Sequence, residues 1–239
     1  MTSAAIGGRL AGPRVHLRRI DSTNAVARDL ASRGAPDGTL VTATAQVAGR
    51  GRQGRSWTTR PGASLIASWV IREPSSLLSL AAGAAVAEIC GTAARVKWPN
   101  DVLIDGRKVA GILVEGRPQE RWAVLGIGIN VALKPEEFPE EVRERAGSLG
   151  LPEADVEPML LRLGAALEHW LAVPSADVLA EIRTRDALLG QSVTWANGAG
   201  TAAGIDDSGR LIVRLADGGE ELLDAGEVHL GAAEPEMIS

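Results

Sequence analysis

The chain has 239 residues, of which 45% are apolar and 23% charged, with a formal net charge of -5 at neutral pH. That length accommodates one large domain or a medium domain with a small companion, and the composition is that of a packed globular protein rather than a disordered or fibrous one. The acidic balance excludes a general nucleic-acid binder, which needs a basic excess to displace counterions from phosphate.

Met1 to Gly8 holds no apolar stretch of signal-peptide length, and the longest apolar run, Leu77 to Cys90, is broken by Glu88 and too short to span a bilayer. A cytoplasmic protein is expected. The single Cys90 forbids an internal disulfide and reads as a small buried apolar side chain. His16, His169 and His229 are scattered and have no cysteine beside them, which leaves little material for a zinc site or a histidine-based nucleophile.

In chain order, Asp21, Ser22 and Thr23 offer capping oxygens ahead of Ala25 to Ala31, and Gly34 can end the turn, so a first helix is predicted over about 24–33. Strands are predicted at Leu40 to Thr42 and at Ser64 to Ile71, the second bounded by Pro61-Gly62 and Glu73-Pro74. Leu77 to Ala94 is alanine-rich and apolar on most faces, which predicts a buried helix. Four strands follow, Val96 to Trp98, Val102 to Ile104, Val109 to Glu115 and Trp122 to Ile129, with the two-residue turn Asp105-Gly106 between the second and third. This antiparallel meander predicts an α+β fold and not a doubly wound α/β sheet.

Beyond it, Leu160, Leu163, Leu167 and Trp170 recur at helical spacing on a segment that Asp155 can cap and Pro158 can begin, and a second helix is predicted from Ala176 to Leu188. Short strands near 192–196, 200–205, 210–215, 220–223 and 228–230 are separated by Asn197-Gly198, Asp207-Ser208-Gly209 and Asp217-Gly218-Gly219. They predict a small β-barrel and a boundary near Leu189, dividing the chain into 1–188 and 189–239.

Three segments carry chemistry. In Gly49-Arg50-Gly51-Arg52-Gln53-Gly54-Arg55-Ser56-Trp57, glycines let backbone N–H groups approach an anion while guanidinium groups offer paired hydrogen bonds to phosphate or carboxylate. Gly49, Gly51 and Gly54 match the spacing of the dinucleotide fingerprint, with Glu73 near the position of its ribose-binding acid, but only nine residues separate Gly54 from the strand at Ser64. No crossover helix fits, and the same absence excludes a phosphate-binding P-loop. The cluster Lys97-Trp98-Pro99-Asn100-Asp101 joins two strands and can deliver one fixed positive charge into a cleft. Gly126-Ile127-Gly128-Ile129-Asn130 places glycines inside a strand, where a ligand or a packed neighbour must come close.

Together with Gly111-Ile112-Leu113-Val114-Glu115, these segments resemble the signatures of the biotin protein ligases, in order, along a likeness running from about Asp21 to Leu230. The resemblance implies a class II aminoacyl-tRNA synthetase-like mixed sheet with helices, followed by an SH3-like barrel. It implies an enzyme that joins biotin to AMP at the expense of ATP, with Mg²⁺ on the phosphates, and passes the biotinyl group to a lysine of a biotin carboxyl carrier protein. It places Ser22, Thr23, Asn24, Gln46, Gly49, Arg50, Gly51, Arg52, Lys97, Gly111, Gly126 and Gly128 at biotin, and Arg52, Arg55, Trp57 and Asn130 at ATP, with Lys97 and Arg52 catalytic. Lys134 to Ser148 resembles the variable segment that orders over adenine. Only 21 residues precede Ser22, too few for the DNA-binding domain of some relatives, so no DNA binding is expected. A lipoate ligase or octanoyl transferase and a catalytically silent biotin-binding module remain the alternatives. Metal ligands are not assigned, and a homodimer is as compatible with the sequence as a monomer.

Overall fold

The computed structural model describes residues 8–57, 59–117, 120–224 and 228–230; Met1 to Gly7, where a leader would begin, and 231–239 lie outside them. In chain order the elements are β1 (Arg14–Leu17), α1 (Thr23–Ser32), β2 (Leu40–Ala43), β3 (Gly49–Arg50), β4 (Ser56–Trp57), β5 (Ser64–Arg72) and α2 (Leu78–Cys90). Then come β6 (Arg95–Lys97), β7 (Asp101–Ile104), β8 (Arg107–Arg117), β9 (Trp122–Asn130), α3 (Val156–Ala172) and α4 (Ser175–Thr184). The chain closes with β10 (Ser192–Trp195), β11 (Gly198–Ile205), β12 (Leu211–Arg214), β13 (Glu220–Leu223) and β14 (His229–Leu230).

Seven strands form a mixed sheet in the order β1-β2-β5-β9-β8-β7-β6, in which only β1 and β2 run parallel. The predicted meander is its second half, and both residues of the Asp105-Gly106 turn take positive φ, 50° and 72°, as that turn requires. The second sheet is five-stranded and antiparallel, ordered β13-β12-β11-β10-β14. This is the expected α+β architecture.

The long central strand β5 is buried along nearly its whole length because both faces of the sheet are covered. Leu65, Ala67, Trp69 and Ile71 face the main core under α2 and α3, while Val70 shares a second cluster with Ala27 and Ala31 of α1. That main core runs without a break into Val193, Ala202, Ile205, Leu211 and Val213 of the second sheet. Among the described residues, no helix is long and apolar enough to cross a membrane.

Three predicted elements differ at their ends. Helix α2 stops at Cys90, since Gly91 turns to φ 102°. Helix α4 stops at Thr184 and not Leu188, because the next residues pair with β6: Val96 N donates to Arg185 O and Ala187 N to Val96 O. Asp155 does not cap α3; it lies in a preceding turn of 3-10 helix, Glu153–Asp155, with its side chain unused for capping. The short strand β1 is absent from the sequence reading.

Cys90 ends α2 beside Arg162 and Arg185, which donate to the carbonyls of Ile89 and Gly91. Burial pushes its thiol up to about 12, outweighing the two guanidinium groups that act the other way. Because the native value lies above the unfolded one, the stability owed to the protonated thiol is complete below the unfolded value and is lost as pH climbs toward 12. Iodoacetamide at pH 9 should therefore modify Cys90 slowly in the native protein and rapidly after guanidinium unfolding; equal rates would show an accessible thiolate.

Candidate functional site

The site begins as missing side chains. Strand register aligns Ser68, Gly126 and Leu113 in one row across β5, β9 and β8, and Ile66, Gly128 and Gly111 in the next row on the same face. Three glycines in these two rows leave a depression in a sheet that is otherwise closed by α1. An open cleft lies there.

Each glycine is required by a specific neighbour. A Cβ on Gly126 would overlap Asn24 Oδ1, and one on Gly128 would come within 2.7 Å of the Trp57 indole. One on Gly111 would press on Trp57 and Lys108 at 3.2 Å.

The inner wall is polar, and its Ser22, Thr23, Asn24 and Ser68 are buried. Ser22 occupies the N-cap position of α1 but its side chain makes no capping bond, and Gln46 takes over: its Oε1 accepts from Thr23 N at 2.7 Å and from Thr23 Oγ1 at 3.1 Å. That orientation leaves the Gln46 amide nitrogen as a donor. Ser68, 0% exposed, donates to Thr23 Oγ1 or Asn24 Oδ1, at 2.8 and 2.6 Å. Asn24 Nδ2 donates to Glu115 Oε2 at 2.7 Å, and Arg28 holds the other Glu115 oxygen at 3.1 Å. The Asn24 amide is thus fixed at both ends, while the Ser22 hydroxyl and the Gln46 amide remain on the cleft wall.

The outer wall is cationic. Strands β3 and β4 pair in a short hairpin whose tip, Arg52–Gly54, is one 3-10 turn, so no helix follows the glycines. Arg50, Gly51, Arg52 and Trp57 line the cleft, opposite Asn100 and Lys108. The Lys108 ammonium lies 5.8 Å from the Trp57 ring centroid and 2.6 Å from Asp101 Oδ1. Burial lowers the pKa of Arg52, opposed by Asp101 and assisted by Arg55. Burial also lowers that of Lys97, opposed by Asp101 and assisted by Lys108, Arg55 and Arg145. Trp57 Nε1 is buried with no hydrogen-bond partner among the described residues.

Of the predicted residues, Ser22, Thr23, Asn24, Gln46, Arg50, Gly51, Arg52, Trp57, Gly111, Gly126 and Gly128 line this single cleft; Gly49, Arg55, Lys97 and Asn130 do not. Gly49 serves the hairpin, where a Cβ would strike the Trp57 carbonyl, and Arg55 is exposed at its tip. Lys97 pairs in register with Asp101 on the β6–β7 hairpin, and Asn130 Nδ2 donates to Gly147 O at 2.9 Å. Lys134 to Ser148 is tied down around Lys108, whose N donates to Arg145 O at 2.7 Å and whose O accepts from Gly147 N at 2.8 Å. Phe138 from this segment is buried with Ala63 and Leu133, and Arg60 pairs with Glu137 and Glu153 at 2.6 and 2.5 Å.

Ser68 and Lys108 belong to the site but were not singled out in the sequence, while Asn100 and Glu115 stood within the quoted motifs without a role of their own. The Biotin/lipoate A/B protein ligase family matches residues 16–131, and the Biotin protein ligase C terminal domain matches 189–231. A biotin--[acetyl-CoA-carboxylase] ligase of Paracoccus denitrificans is 36% identical, across 90% of this chain and 99% of that protein. This chain belongs to the biotin protein ligase family. A bifunctional ligase/repressor BirA of Bacillus subtilis is 34% identical over 89% of the chain and 72% of its own length. The structure of the Aquifex aeolicus biotin protein ligase, in complex with biotin and ATP, superimposes with a TM-score of 0.73 at 28% identity, covering 91% of this chain and 98% of that one.

For this family member, the packing of Asn24 on bare backbone gives a direct test. Gly126→Ala should displace Asn24 from Ser68 and Glu115 and lower stability by about 1–3 kcal/mol, the usual effect of overpacking. Urea denaturation with calorimetric biotin titration would measure both effects. Unchanged stability and affinity would mean that Asn24 is free to move aside.

Proposed function

We infer that this chain is a biotin ligase that forms biotinyl-AMP from biotin and ATP and transfers the biotinyl group to a lysine of a biotin carboxyl carrier protein. The observation that carries this reading is the gathering of the Ser22–Asn24, Arg50–Arg52, Gly111 and Gly126–Gly128 segments into one cleft with a polar inner wall and a cationic outer wall. The uncharged donors and acceptors of Ser22, Thr23 and Gln46 suit a ureido ring. Arg52 and Lys108 suit a carboxylate that becomes joined to a phosphate.

In the first step a biotin carboxylate oxygen attacks the α-phosphorus of ATP, the bond to the bridging oxygen breaks, and pyrophosphate leaves with its electron pair. In the second, the carrier lysine, as the free amine, attacks the acyl carbon; AMP leaves, and the nitrogen loses a proton. Neither step needs a protein nucleophile. The chain supplies alignment of the two reactants and fixed positive charge where negative charge builds up. Lys108 at the cleft, Arg52 on the hairpin and Lys97 behind them are the proposed sources. Trp57, Arg55 and Asn130 are assigned to the nucleotide side. Mg²⁺ enters as the nucleotide complex; among the described residues no group of three or more His, Cys, Asp or Glu side chains could hold an ion by itself.

Residues 1–188 are proposed as the activating domain and 189–239 as an SH3-like companion, in line with the two matched families. The lone cysteine supports action in the reducing cytoplasm. The net charge of -5 favours a protein carrier over DNA as the macromolecular partner.

Lys108→Ala should slow biotin-dependent pyrophosphate release by roughly a hundredfold, about 3 kcal/mol of lost transition-state contact, with biotin affinity largely kept. Lys97→Ala should lose less, since Lys97 does not line the cleft. Pyrophosphate release by the wild-type protein with lipoate or octanoate but not biotin would overturn the assignment.

A further inference from the structure

The five-stranded sheet is linked to the hairpin that carries Arg52 through the Trp98–Asn100 segment, which is hydrogen-bonded to the sheet at one end and to Arg52 at the other. The link begins at the turn between β11 and β12. Asp206 builds that turn, accepting from Ser208 N at 2.8 Å, Arg210 N at 2.9 Å and Arg210 Nε at 2.7 Å. Arg183 of α4 secures it from outside, donating to Ile205 O and to Asp207 at 2.8 and 2.7 Å. Gly209 closes the turn at φ 84°, and it is seated so tightly on α2 that a Cβ there would lie 2.5 Å from a Leu77 methyl.

The Gly209 carbonyl accepts a hydrogen bond from Trp98 Nε1 at 3.0 Å. Trp98 is 3% exposed and does not line the cleft. The next residue, Pro99, offers its carbonyl to Ser79 Oγ of α2 at 2.9 Å. Asn100 follows, locked to β8 twice: its Nδ2 donates to Ile112 O and its backbone oxygen accepts from Ile112 N, both at 2.9 Å. The remaining polar atom of that side chain, Oδ1, accepts from Arg52 Nη1 at 3.0 Å. A buried indole N–H would otherwise lose its partner, so the Trp98–Gly209 bond fixes the ring's rotation as well as its depth.

We propose that Trp98 and Asn100 are positioning residues for Arg52, and that the second sheet acts on the reaction through them, the Gly209 carbonyl setting Trp98, Trp98 setting Asn100, and Asn100 presenting Oδ1 to the guanidinium. The hairpin of β3 and β4 is two residues long on each side and, among the described residues, pairs with neither main sheet. Its tip therefore depends on side-chain contacts of this kind for its position. The consequence for function rests on the reading of Arg52 as a contact for the carboxylate that becomes joined to a phosphate: loosening the strut should let the adenylate escape without changing how the polar inner wall holds biotin.

The discriminating variant is Trp98→Phe in the full chain, which keeps an apolar ring in the core and deletes the N–H donor. Two measurements separate the strut from the functional reading. In the first, the ligand-free protein is digested briefly with trypsin, and cleavage after Arg52 is followed by mass spectrometry. Trp98→Phe should accelerate that cleavage roughly threefold to tenfold, the range for loss of one neutral hydrogen bond, with cleavage at the exposed Arg121 unchanged. In the second, dissociation of preformed biotinyl-AMP is timed. Trp98→Phe should speed it by a similar factor at unaltered biotin affinity, and adding Trp98→Phe to Arg52→Gly should produce no further acceleration. Additive acceleration in the double variant, or equal cleavage after Arg52 in variant and wild type, would overturn the proposal. So would a parallel rise in cleavage at Arg121, which would mark general destabilisation. If the wild type forms no adenylate, the ligase reading fails, and the trypsin comparison still decides the strut.

Discussion

A sheet face roofed by a helix closes on itself unless side chains are removed from it, and the site rests on that constraint. Gly111, Gly126 and Gly128 fall in two adjacent rows on one face because β8 and β9 pair in the register that puts Gly128 opposite Gly111 and Gly126 opposite Leu113. A slip of one residue in either strand would send the glycines to the face beneath α2 and fill the cleft with Ile112, Ile127 or their neighbours. The large core under α2 and α3 therefore does more than stabilise the chain. By claiming the branched residues of β5 and β9, it fixes which side of the sheet is left bare.

The vacancy is then divided by the two kinds of neighbour that lean into it. Asn24 fills the space over Gly126 and ties α1 to β5 and β8, so the inner end of the cleft is a rigid network of uncharged groups. Trp57 lies over Gly128 and Gly111, and the outer end is lined by guanidinium and ammonium groups. Burial, helped by Arg55 at Arg52 and by Lys108, Arg55 and Arg145 at Lys97, lowers the proton affinity of Arg52 and Lys97, with Asp101 as the counterweight. A chain with an overall negative charge thus concentrates positive potential where an anion must be held, and partial burial strengthens that field.

Much of this was legible in the sequence, and the exceptions share a cause. The hairpin at Asp105-Gly106, the apolar helix α2 and the glycine-bearing strands each follow from local chemistry that nothing distant overrides. Lys108 escaped because of a bulge. The register of β7 against β8 shifts between Val102 and Leu103, so that both Val109 and Ala110 face the main core. Strict alternation would place Lys108 with Ala110, away from the cleft; the extra residue turns it to the side of Gly111. Ser68 was invisible for the opposite reason, since a serine in an apolar strand reads as neutral until its partners on α1 are known. The early end of α4 and the idle Asp155 side chain likewise follow from backbone partners distant in sequence or from a preceding turn, neither of which a capping rule contains.

The segment from Lys134 to Ser148 is held at several separate points: Phe138 in its apolar niche, Glu137 on Arg60, Arg145 and Gly147 on the backbone of Lys108, and Gly147 again on Asn130. Anchors spaced this way divide a fifteen-residue stretch into short spans, each with little chain entropy to gain by coming loose alone. Such a segment does not swing as one flap. It loosens by small, local steps, and the step that frees residues 145–147 also releases the backbone of Lys108, so the loosening of this segment and the placement of that ammonium on the cleft wall are mechanically the same event.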